Sequence, residues 1–156
     1  MNNKSAFFQD DRATANASFE KVLEAIQNKD AAALKSLFSK QVIAEAEFET
    51  AVNELFEFYQ GSFVSYDDWG GAVGGEGGRE NGKEWYDIMP TYDVVTTEQE
   101  YRFAFKEFTV NDFEPDKVGI WSLYVIKKED DIDPECAYRG DGKWTPGINI
   151  VKKENQ

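Results

Sequence analysis

Tyr101-Arg102-Phe103-Ala104-Phe105-Lys106 alternates aromatic with polar or small side chains, and that alternation decides the fold. A period of two puts every second residue on one face of a strand, so the three aromatics face a core. At Glu107-Phe108 the alternation slips, and a β-bulge is expected there. Outward from this strand the same period recurs. Phe63 to Tyr66 reads as a short strand, and Trp85 to Val95 as a longer one interrupted by Pro90, at an edge or a bulge. Val118 to Ile126 is apolar on both faces and reads as a central strand. Thr96 to Gln99 and Asn111 to Asp116 read as turns, and Trp144 to Val151 can supply a last short strand.

The first sixty residues carry a helical period instead. Phe19, Val22, Leu23 and Ile26 share one helical face between Asp11 and Asn28. Asp30 can cap a second helix with Leu34, Leu37 and Phe38 on its apolar side. Ser39 can cap a third running to Tyr59, ended by Gly61. Three helices followed by a curved antiparallel meander define an α+β domain. A single domain is expected over residues 11–151, with tails at 1–10 and 152–156. Seven glycines in the thirteen residues from Gly70 to Gly82 read as a flexible hairpin tip or a disordered loop, since no phosphate-cradle spacing is present.

Composition narrows the function. A formal charge of -13 argues against nucleic acid and anionic membrane surfaces, and favours a cationic partner. The absence of histidine removes the commonest general base near neutral pH. Cys136 is the only cysteine, so no disulfide framework or zinc cluster is available. No apolar run is long enough to span a bilayer. With no secretory leader at Met1, the chain as given reads as cytoplasmic; if a leader has been removed, it reads as extracytoplasmic and lipid-anchored.

Three stretches and one strand carry a resemblance: KDAAALKSLFSK (29–40), LFEFYQGSFVSY (55–66), CAYRGDGKWTPGINI (136–150) and VGIWSLYVI (118–126). Together they resemble an uncharacterised family of Gram-positive bacterial proteins, often lipoproteins, similar to the nuclear transport factor 2-like superfamily. The resemblance implies a cone, with a curved antiparallel sheet wrapped around a long helix and a pocket at the wide end. It implies no activity, because that scaffold hosts isomerases, dehydratases, ligand carriers, dimerisation modules and immunity proteins.

The candidate residues fall into two groups. Glu45, Glu49, Glu54 and Glu57 form an acidic helical face with no basic residue between Gln41 and Gln60. Glu45 and Glu49, at i and i+4, repel each other on a helix, so the face is either merely solvated or kept for a partner. Asp130, Asp131 and Asp133 lie in an acidic loop that lacks the glycine of a calcium-binding hand and reads as solvated or partner-binding. Trp69 and Trp144, flanked by glycine and proline, are expected to be exposed anchors. The second group lines the expected pocket: Tyr66, Tyr92, Asp93, Arg102 and Tyr124. Tyr66, Asp67, Asp68, Tyr92, Asp93 and Tyr124 also supply raw material for acid–base chemistry, but no spacing demands it. No catalytic residue, metal or cofactor is expected.

The leading expectation is a non-catalytic binding protein, most specifically an immunity factor that neutralises a basic toxin. The alternative is an extracytoplasmic lipoprotein domain holding a small ligand in the cone; an isomerase or dehydratase using Asp and Tyr is remoter still. A homodimer through the sheet is a further expectation.

Overall fold

The computed structural model describes residues 10–69, 75–131 and 143–152. Four helices precede a sheet of seven strands. Helix α1 (Asp11–Gln27) starts where the Asp10 carboxylate accepts a hydrogen bond from the Ala13 N–H, and buries Phe19, Val22, Leu23 and Ile26 along one side. Asp30 caps α2 (Ala31–Lys35) in the same way, through Ala33.

The third expected helix is two. Helix α3 (Lys40–Ile43) stops, and α4 (Phe48–Phe58) starts after a turn. Tight bonds from Glu45 N–H to Val42 and from Phe48 N–H to Glu45 mark that turn. Beyond the turn Phe48 stands edge-on to Phe38, with ring centroids 5.1 Å apart. Ser39 does not cap α3 with its side chain. Its buried hydroxyl donates instead toward the Lys117 and Ile120 carbonyls, which ties the helical layer to the sheet.

The strands are β1 (Phe63–Asp67), β2 (Gly75–Glu80), β3 (Lys83–Ile88), β4 (Thr91–Thr96), β5 (Glu100–Asn111), β6 (Gly119–Lys127) and β7 (Gly147–Val151). The expected strand over Trp85 to Val95 is β3 and β4, broken at Met89-Pro90. Both lie on the same edge of β5, because Asp87↔Phe108 and Thr91↔Ala104 keep one register across the break. β1 and β2 follow one another along the outer edge of that bent row. On the other side of β5 lies β6, and β7 pairs with β6 in parallel, not as the last step of an antiparallel meander.

The glycine-rich stretch is also not simply a loop: Gly75–Glu80 is a strand. Ladder bonds are main-chain bonds, and a strand can form wherever neighbouring side chains need the space a Cβ would fill. A Cβ on Gly78 would stand 2.6 Å from the Trp85 indole nitrogen. Residues 70–74 lie outside the described residues.

The register slips on both sides of β5 near the expected bulge. Thr109 is passed over between Val110 and Phe108 against β3, and Trp121 between Ser122 and Ile120 against β6. The core fills the concave side, where α1 lies across Tyr92, Phe103 and Phe105. Phe19 stacks on Tyr92 with centroids 3.9 Å apart and rings 6° from parallel. No helix among the described residues is long and apolar enough to cross a membrane.

Gly119 opens β6 at a φ of +116°, and a Cβ there would meet the Phe38 carbonyl carbon and the Ser39 nitrogen at 3.0 Å. Both strain and backbone contact oppose a side chain, so Gly119→Ala is expected to cost about 1–3 kcal/mol. Urea unfolding should show a lower midpoint at unchanged slope; an unchanged midpoint would mean that this joint relaxes freely.

Candidate functional site

Strand alternation separates the residues expected to share one pocket. Tyr66 and Tyr92 face α1, whereas Asp93 and Arg102 stand on the opposite, convex face with Tyr124. The five therefore do not line one cavity.

On the α1 side, the Asp68 carboxylate accepts from Arg12 at 2.7 and 3.1 Å and from the Asn16 amide at 3.0 Å. Asn16 in turn accepts from the Tyr92 hydroxyl at 2.9 Å, and Glu20 accepts from Tyr66 at 2.8 Å. Burial, with help from Glu20, pushes the Tyr66 phenol up to about 12; burial raises Tyr92 further still. Neither phenol ionises near neutral pH. Tyr66, Tyr92 and Asp68 are each spent on fastening the helix to the sheet.

On the convex face, Arg102 makes a fork to Asp93 at 2.7 and 3.2 Å and reaches Asp131 at 2.7 Å. The Trp69 ring covers the guanidinium at 4.8 Å. Burial alone would raise the Asp93 carboxyl, but hydrogen bonds from Arg102 and Trp69 and the nearby positive charges hold it below its ordinary value. Asp131, with a side chain only 2% exposed, is therefore not presented to a partner. Trp69 remains 43% exposed, with one face on Arg102. Trp144 is only half-buried at most of its surface and stands edge-on to Tyr124, covering Ala104 and Ile126. It is a lid on a small second core more than an exposed anchor. Tyr124 accepts a bond from the Thr145 N–H, which fixes that lid. Asp133, Cys136 and the other residues of 132–142 lie outside the described residues.

The acidic helical face is exposed, but its geometry differs from one continuous helix. Glu45 sits in the turn before α4, so its spacing to Glu49 is not a helical i,i+4 pair, and Glu49 meets Lys35 at 3.3 Å. Glu54 and Glu57 line a depression of about 520 Å³ with Glu98, Gln99 and Lys152. An adjoining depression of about 630 Å³ shares Glu98 and Gln99 and adds Glu100, Lys128 and Glu129. The end of α4, the β4–β5 turn and the residues after β6 thus build one end of the molecule where five glutamates outnumber Lys127, Lys128 and Lys152, with Lys128 paired to Glu100 at 3.5 Å. Glu98 and Glu100 carry no signal in the sequence; only the fold brings them, and Glu129 of the acidic loop, beside Glu54 and Glu57.

Two buried carboxylates also escaped the sequence reading. Glu107 has the parity of Tyr101, Phe103 and Phe105, so it points at α1, where Ser18 donates to it while its Oε1 has no partner among the described residues. Asp87 is 1% exposed, with Lys106 at 3.9 Å and an unpartnered Oδ1. Burial raises both carboxyls above their ordinary values.

The architecture is that of an α+β domain with a curved, open sheet. A family model described as a domain of unknown function, DUF5104, matches residues 21–128, and the chain belongs to that family. No curated protein matches it.

A carboxyl raised in the folded state binds its proton more readily there than in the unfolded chain, so its ionisation opposes folding. The stability it contributes is present at low pH and lost as pH rises through the folded value. Glu107→Gln is therefore expected to raise the melting temperature at pH 7, with the gain shrinking toward the ordinary carboxylate value of about 4.3. Asp93, lowered, contributes with the opposite sign. Thermal melts across pH test this; a gain for the Glu107 variant that is flat with pH would contradict it.

Proposed function

We propose that the chain is a non-catalytic acidic binding protein on a nuclear transport factor 2-like cone, and specifically an immunity factor that occludes a basic toxin. The observation that carries this reading is the end of the molecule where Glu54, Glu57, Glu98, Glu100 and Glu129 border two adjoining depressions and outnumber Lys127, Lys128 and Lys152 there. Opposite charge on a partner would steer its approach and set its orientation there. Surface docking is preferred to a ligand inside the cone because Phe19, Tyr92 and Phe105 occupy the interior at stacking distances. It is preferred to catalysis because the Asp and Tyr side chains once available for acid–base work are held in structural bonds.

The test is co-purification with the product of a neighbouring gene, followed by association kinetics with whatever basic protein is retained. Association should slow from low to physiological salt as the Debye length falls from about 30 Å to about 8 Å. Replacing Glu54, Glu57 and Glu98 together by Gln should lower the on-rate far more than it raises the off-rate, with melting unchanged. Retention of no basic protein at low salt, or an on-rate indifferent to the triple substitution, would refute the reading.

A further inference from the structure

We propose that the outer edge of β1, with the groove between β1 and α1, takes up an extended segment of the basic partner as an added strand. The proposal rests on the reading that the partner is basic, and it adds how that partner is held.

Within the described residues β1 pairs with β4 alone, so its other edge has no strand beside it. Ladder geometry says which groups point outward. The Thr96 N–H donates to the Gln99 carbonyl at 2.8 Å, on the side of β5. Alternation then turns Val95 and Asp93 toward β1, where they face Ser65 and Asp67. The Phe63 N–H donates to the Gln27 side chain of α1 at 3.1 Å, and beyond the bulge the N–H and C=O of Tyr66 are left on the outer side. An incoming strand supplies partners for such groups, whereas a helix laid in the groove would not.

The side chains at this edge are unusual for a strand left open to water. Open edges are normally blunted by charge, proline or irregularity. The outer edge of β2 follows that pattern, with Glu76, Arg79 and Glu80. β1 has a bulge between Phe63 and Ser65 and ends in Asp67, yet it leaves Phe63 39% and Val64 56% exposed. Beside them lies a groove of about 610 Å³ between Ala17, Leu23 and Gln27 of α1 and Phe63 and Tyr66 of β1.

Charge selects the occupant. Glu20 and Glu24 stand on the groove wall, and Lys21, its one cation, lies near enough to Glu107 to stabilise that carboxylate. An extended segment alternating apolar residues with Lys or Arg would place the former against Phe63 and Leu23 and the latter beside Glu20 and Glu24. A second copy of this chain would bring two molecules of charge -13 together at an acidic rim.

A random-peptide display library selected on the full chain tests this, with three variants as counter-screens. Enriched peptides should alternate apolar and basic residues. They should lose about tenfold or more in affinity on Val64→Lys and on Glu24→Lys, and keep it on the Glu54/Glu57/Glu98→Gln variant. Both single substitutions fall on exposed side chains, and unchanged melting would confirm intact folding. Bound peptide should slow hydrogen exchange at the Tyr66 amide. Peptides that ignore Val64→Lys and Glu24→Lys, or leave the Tyr66 amide unprotected, would overturn the proposal; so would failure to enrich any, or sedimentation showing a dimer that Val64→Lys abolishes. If the triple variant alone loses binding, the basic partner stands and the strand-addition mode falls.

Discussion

The stack of Phe19 on Tyr92 is the contact from which the rest of the arrangement follows. An aromatic pair adds about 0.5–1.5 kcal/mol to the burial of its area. Here it also sets a distance: the rings bring α1 onto the concave side of the sheet at one point along β4. The Tyr92 hydroxyl, which could not be buried unpaired without cost, reaches Asn16 one turn earlier on the helix. Asn16 and Arg12 then hold Asp68, so the chain leaving β1 is fixed by the helix as well as by the sheet.

Asp68 and Trp69 show how the two faces of the sheet are joined. They are neighbours in sequence, yet Asp68 binds the helix on the concave side and Trp69 covers Arg102 on the convex side. The row β3–β4 on the same edge of β5 is broken at Met89-Pro90. Proline withholds an N–H at that point, so no ladder bond is sacrificed by the break.

Local periods in the sequence carried most of this architecture. The aromatic alternation of β5, the stripe of α1 and the aspartate before α2 translate directly, because each is a property of neighbouring residues; the bulge expected at Glu107-Phe108 falls instead at Thr109 and, on β6, at Trp121. What the sequence did not reveal depends on partners far away in the chain. The division of α3 from α4 follows from Phe48 meeting Phe38, and the strand at Gly75–Glu80 from Trp85 needing room over Gly78. Adjacent strand residues face opposite ways, so parity alone parts Tyr92 from Asp93 and places Glu107 on the face of Tyr101, Phe103 and Phe105. The acidic end was half legible, as Glu54 and Glu57 share a helix while Glu98, Glu100 and Glu129 join them only through the folded sheet.

The parallel pairing of β6 with β7 has a consequence for how the domain assembles. β6 is apolar on both faces, yet beyond Ile120, whose N–H and C=O bond to Leu37 and Ser39, one of its edges receives a partner only after the chain from Lys128 to Pro146 has been traversed. Antiparallel neighbours joined by tight turns, such as β4 and β5, close their loops early and at small entropic cost. β7 must instead find its place by a long-range closure, and until then the β6 edge is open. The slowest step in folding, and the interval most exposed to aberrant strand pairing between chains, should therefore be the docking of this last strand.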